Sequence, residues 1–132
     1  MKKILLLAFA LMLMLPQAAR AELRIDVTRG EVNPMPIAIT DFTGTGTDND
    51  MGREMVAVIE ANLKRSGLFR PLDHASFIQD AMSAQSSPNF GQWRTINSQA
   101  LVTGALSKTA DGRTRVEFRL WDVFAEQQMV GM

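Results

Sequence analysis

His74 is the only histidine in a chain of 132 residues that contains no cysteine. It stands beside Asp73, and a base–nucleophile pair with Ser76 or Ser98 is the acid–base chemistry its position suggests. The plainer reading is a lone surface histidine. Without cysteine there is neither thiol catalysis nor thiolate-bound zinc, and one imidazole makes a poor zinc site. The carboxylates are scattered, with no pair flanked by apolar residues that would hold one of them protonated. Gly44-Thr45-Gly46 precedes an expected helix, where free N–H groups bind anions. The phosphate-loop pattern nevertheless fails: five residues separate Gly46 from Gly52, and Arg53 is followed by Glu54 rather than Ser or Thr. Asp48 and Asp50 would also repel a phosphate. Asp48-Asn49-Asp50 opens like a calcium loop but lacks the remaining ligand positions. Trp93 and Trp121 read as packing residues rather than a ligand platform. These residue types imply no catalytic group, no cofactor and no metal.

The elements around these residues are clearer. Met35–Asp41 reads as a buried strand, with Ile37 and Ile39 β-branched. Residues 42–50 form a loop leading into a helix at 50–66, with Thr47 or Asp48 as N-cap and Asp50 in the first turn. At 100° per residue Met51, Met55, Val56, Val58, Ile59 and Leu63 share one side of that helix. Gly67 is its left-handed stop. Leu68–Asp73 is a short strand or link limited by Pro71. A second helix is expected at 75–84, capped by Asp73, then a polar loop at 83–93 and a further helical turn or two at 89–97. Ala100–Lys108 is an apolar strand, Asp111-Gly112 is a hairpin turn, and 114–124 alternates. A third meander strand starts at Gln127.

The order of elements gives an α/β fold, a small mixed sheet covered by two helices. Its expected core is Ile37, Ile39, Met55, Ile59, Leu63, Leu101, Val102, Leu106, Val116, Phe118 and Leu120. Leu→Ala at Leu63 or Leu101 is expected to cost about 2–5 kcal/mol if each is buried.

The beginning of the chain is a separate matter. Lys2-Lys3, the apolar run Ile4–Leu15 and Ala19-Arg20-Ala21 have the form of a cleavable signal peptide, residues 1–21. The run is too short to anchor the chain across a bilayer. No cysteine is present for lipidation, and export to a periplasm is expected. Fourteen basic and fourteen acidic side chains balance in the full sequence. Loss of Lys2, Lys3 and Arg20 turns the balance acidic, against a nucleic-acid partner. Residues 22–33 read as an extended arm, set off by Gly30, Asn33, Pro34 and Pro36 from the domain at 34–132. Leu23, Ile25 and Val27 alternate with Arg24, Asp26 and Thr28. Such a strand is either an edge of the domain's own sheet or a segment offered to a partner.

Arg24–Gly30, "PMPIAITDF" (34–42), "LVTGAL" (101–106) and "RVEFRLWDVFAEQQMVG" (115–131) together resemble the N-terminal domain of the TolB family, Val116–Phe124 being the most specific block. The resemblance runs over residues 22–132. It implies an α/β domain followed by a six-bladed β-propeller, in a periplasmic component of the Tol–Pal envelope system. It also implies that the propeller binds the lipoprotein Pal, and that the arm binds the inner-membrane protein TolA. On this sequence the arm is Glu22, Leu23, Arg24, Ile25, Asp26, Val27, Thr28, Arg29, Gly30, Glu31, Val32 and Asn33. No propeller sequence is present, and a strand ending at Gly131-Met132 reads either as a fragment of a longer protein or as a frayed natural end. The expected function is a non-enzymatic scaffold domain, monomeric, supporting outer-membrane integrity and constriction at cell division. The alternatives are a small exported ligand-binding protein or enzyme using the 42–50 loop, or a fragment without activity of its own.

Overall fold

The structure, a computed structural model, describes residues 33–132. The expected signal peptide and all of the arm except Asn33 lie outside the described residues. The elements are β1 (Met35–Ile39), α1 (Thr47–Ser66), β2 (Phe69–Pro71), a 3-10 turn (His74–Ser76), α2 (Ala81–Ser86), α3 (Phe90–Thr95), β3 (Ala100–Lys108), β4 (Thr114–Asp122) and β5 (Gln127–Gly131). The strands form one mixed sheet in the order β2-β1-β3-β4-β5. β1 runs parallel to both neighbours, pairing Met35 with Phe69 and Ile37 with Ala100. β3, β4 and β5 form an antiparallel meander. The chain leaves β1 toward β2 through α1 and returns past β1 to β3 through α2 and α3. Because parallel connections are right-handed, reversing direction along the sheet puts the two crossovers on opposite faces.

Each face therefore has its own core. Under α1 lie Ile37, Ile39, Phe42, Val56, Ala100 and Leu106, with Met55, Ile59, Leu63, Val102, Val116, Phe118 and Leu120 packed at the margin. Behind the sheet are Ala38, Ala84, Trp93, Leu101 and Val123. Ten of the expected core residues belong to the first cluster. Leu101 is fully buried but faces the other way, as the two-residue period of β3 requires.

α1 starts at Thr47, three residues earlier than expected, with Gly46 at its N-cap and no side-chain cap. Neither Thr47 nor Asp48 caps it. Gly67 ends it in the left-handed conformation, φ 73°, as expected. Its buried line runs through Asp48, Gly52 and Val56, while Met51 and Val58 are exposed. Gly52 is the reason. A Cβ there would lie 2.1 Å from the Phe42 carbonyl oxygen, so the helix rests on backbone at that point and its contact line is centred on the glycine. Gly104 in β3 makes matching room for the Phe42 ring, which an added Cβ would meet at 2.6 Å. Replacing Gly52 with Ala must separate α1 from Phe42. The overpacking is expected to cost about 1–3 kcal/mol, measurable as a lowered melting temperature; an unchanged Tm would refute this close approach.

The helix expected at 75–84 is divided. Asp73 does cap a turn, its carboxylate accepting from Ala75 N at 2.9 Å, but the turn ends at Ser76. α2 then starts after a new cap, Asp80, which accepts from Ser83 N at 3.0 Å. The hydroxyl and amide of Ser83 hold the exposed Asp80 carboxyl below its usual pKa. Gln79 causes the break. Its side-chain oxygen accepts from Trp93 Nε1 (2.9 Å) and Asn89 N (2.8 Å), and its amide nitrogen donates to Ser87 O (2.9 Å). Those three bonds tie the bend at Gln79 to the α2–α3 pair.

Candidate functional site

The residues singled out for chemistry are used structurally. Ser76 Oγ donates to Asp73 O and the buried Ser98 Oγ donates to Ala100 O, so neither is hydrogen-bonded to His74. The imidazole instead lies between two carboxylates, with Nε2 2.8 Å from Glu60 and Nδ1 3.4 Å from Asp41. It stacks on Phe77 with ring centroids 4.8 Å apart. His74 thus joins the 3-10 turn to α1 and to the end of β1, and is half-buried rather than a free surface group. Asp41 and Glu60 are far from His74 in sequence, and no local pattern could have paired them.

The 42–50 loop closes on itself. Asn49 Oδ1 accepts from Gly44 N at 2.9 Å, and a Cβ on Gly44 would lie 2.7 Å from that of Asp48. Asp48 is buried at the start of α1, and its Oδ1 lies 3.3 Å from Lys108 Nζ at the end of β3. The chain's own carboxylate therefore occupies the helix end where an anion would bind. Among the described residues no group of three His, Asp or Glu side chains is placed to hold a metal ion. Trp93 is buried, as expected of a packing residue, and Trp121 is half-buried with Nε1 donating to Thr103 Oγ1 at 3.2 Å.

Two open surfaces flank β4 and β5. α1 packs chiefly over β2 and β3, leaving the β4–β5 half of that face uncovered. A groove of about 890 Å³ results, lined by Met35, Met55, Phe69, Phe118, Phe124 and Met129 among others. Behind β4 and β5 is a cleft of about 240 Å³ containing Gln85, Glu117, Arg119 and Gln128. Alternation in β4 and the width of the apolar arc on α1 were visible in the sequence. That one helix cannot cover all five strands was the available signal for the groove.

The sequence profile of the TolB amino-terminal domain matches residues 23–129. The chain belongs to that family. The Tol-Pal system protein TolB of Paramagnetospirillum magneticum is 53% identical over 131 aligned positions, in an alignment that covers 96% of this chain and 29% of the relative. The chain thus spans under a third of the length of that TolB. TolB from Acinetobacter baumannii shares the fold, with a TM-score of 0.58 at 24% identity, over 75% of this chain and 22% of that one. Lipoprotein GNA1162 from Neisseria meningitidis matches with a TM-score of 0.57 at 14% identity, over 75% and 77% of the two chains. At such identities these two structures speak for the fold alone. That fold is an α/β domain with a mixed five-stranded sheet, as the residue blocks implied.

Proposed function

We propose that the chain is a non-enzymatic scaffold domain of the Tol–Pal envelope system. In this reading it is exported to the periplasm and serves outer-membrane integrity and envelope constriction during division. Membership of the TolB amino-terminal domain family across residues 23–129 is the observation that supports it. Residues 22–33 are the proposed TolA-binding arm. Its alternation of Leu23, Ile25 and Val27 with Arg24, Asp26 and Thr28 suits strand addition, in which main-chain hydrogen bonds supply affinity and alternate side chains supply specificity. An arm that orders on binding loses entropy, which favours a weak and reversible contact. Contact with Pal is assigned to the propeller of full-length relatives and not to these residues.

Deleting residues 22–33 tests the reading. Calorimetric titration with TolA is expected to show at least about a tenfold loss of affinity, equivalent to about 1.4 kcal/mol, with circular dichroism unchanged. Undiminished affinity with the fold intact would overturn the assignment of the arm.

A further inference from the structure

We propose that His74 is a proton-operated clamp: charged, it ties the 3-10 turn to both α1 and the end of β1, and on losing its proton it lets go of one of them. The proposal uses only pairs of described residues and does not rest on the scaffold reading.

Two carboxylates face the ring from opposite sides. Glu60 on α1 lies 2.8 Å from Nε2, and Asp41, just past β1, lies 3.4 Å from Nδ1. A neutral imidazole has one N–H and one acceptor nitrogen, whereas the charged ring has two N–H groups. Only the charged ring can donate to both acids. In the neutral ring the closer contact, to Glu60, keeps the N–H, and the other nitrogen turns a lone pair toward Asp41. That second contact becomes repulsive. The ring also stacks on Phe77 with centroids 4.8 Å apart, and an aromatic face within about 6 Å attracts a cation. Asp73 adds a further carboxylate to the same cleft and accepts from Ala75 N. Of the two α1 cations there, Arg53 is engaged by Asp50, and Lys64 stands one turn beyond Glu60. β2 contributes only Pro71 to the cleft.

The ring sits where the two layers of the fold meet. Phe77 touches Trp93 edge-on at 5.1 Å, so His74 links α1 on one face of the sheet to the aromatic packing behind the other. Between the fixed points Leu72, bonded to Ile37 O, and Gln79, bonded to Trp93, the backbone is lightly held. Ser76 N and Phe77 N donate only within the turn, to Asp73 O and His74 O. Such a segment opens by itself when a side-chain tie is lost. The stability that the clamp contributes is therefore full while the ring is charged and is lost as pH rises.

The full chain is compared with His74→Gln between about pH 5.5 and about pH 8, the interval in which histidine changes charge. Other titrating groups act alike in both and cancel. Over that interval the melting temperature of the parent is expected to fall by at least about 2 °C more than that of the variant, a size suited to half-exposed pairs. Hydrogen-exchange protection factors at Ser76 and Phe77 should drop at least about threefold in the parent alone. The drop should follow the imidazole signals in NMR, which belong to one residue because the chain has one histidine. Asp41→Asn supplies an amide that can donate to the neutral ring, and should abolish the difference. Matching pH profiles of parent and His74→Gln would overturn the clamp. So would steady protection at Ser76 and Phe77, a drop out of step with the imidazole, or a difference that survives Asp41→Asn.

Discussion

Replacing Trp93 with alanine is expected to destabilise the domain by about 3–5 kcal/mol, the usual cost of truncating a buried tryptophan. The side chain is 1% exposed and is the largest in the core behind the sheet. Its ring meets Phe77 edge-on at 5.1 Å, and its Nε1 donates to Gln79. Truncation removes the ring that α2, α3 and the 3-10 segment share, and leaves a cavity those short elements cannot close. It also removes one of three bonds that fix Gln79. A total stability of about 5–15 kcal/mol is typical of a domain, so the loss takes a large share of it and leaves a domain at the low end of that range marginal. Trp93→Phe keeps an aromatic ring and gives up the indole N–H, and should cost markedly less. Urea denaturation followed by far-ultraviolet circular dichroism measures both. Equal, small losses in the two variants would show that the rear core does not depend on this residue.

Leu101→Ala should cost about 2–5 kcal/mol, and Leu63→Ala clearly less. The two leucines were expected to be equivalent. Leu101 is fully buried behind β3, between Ala38 and Val123 in the rear cluster, and its removal leaves a closed void. Leu63 is half-buried at the last turns of α1 and lines the open groove, so much of its side chain has solvent on one side already. Transfer free energy scales with the area removed from water, and a residue on a rim has less to lose. Chemical denaturation of both variants decides the order. A Leu63 loss equal to that of Leu101 would mean that the groove is closed in solution.

What the sequence disclosed, it disclosed through local rules. β1, β3, β4 and the Asp111-Gly112 turn follow from β-branched runs, alternation and turn chemistry, and the end of α1 follows from Gly67. Leu101 was assigned to the core but to no face, because β3 is apolar on both sides and gives no phase. The break between the 3-10 turn and α2 depends on Gln79 reaching Asn89 and Trp93, bonds that span ten and fourteen positions. Asp80, a good cap with Ser83 three residues on, was the local hint, overshadowed by Asp73. The outward turn of Met51 and Val58 depends on Gly52 meeting Phe42, a steric fact with no hydrophobic signature. His74 found Asp41 and Glu60 through the fold, not through the chain. Of the arm, only its composition and the family resemblance speak.

The central position of β1 has a consequence for the order of assembly. Its partners Phe69 and Ala100 come well after it in the chain, so a polypeptide synthesised from its amino end delivers β1 long before the strands that flank it. β3, β4 and β5 need only two tight turns to pair, and short closures are reached first because loop entropy grows with separation. The meander is therefore the natural template, and β1 the late insertion that seals both cores at once. Until then Ile37, Ala38 and Ile39 remain in water, a window in which a holding chaperone would find its grip.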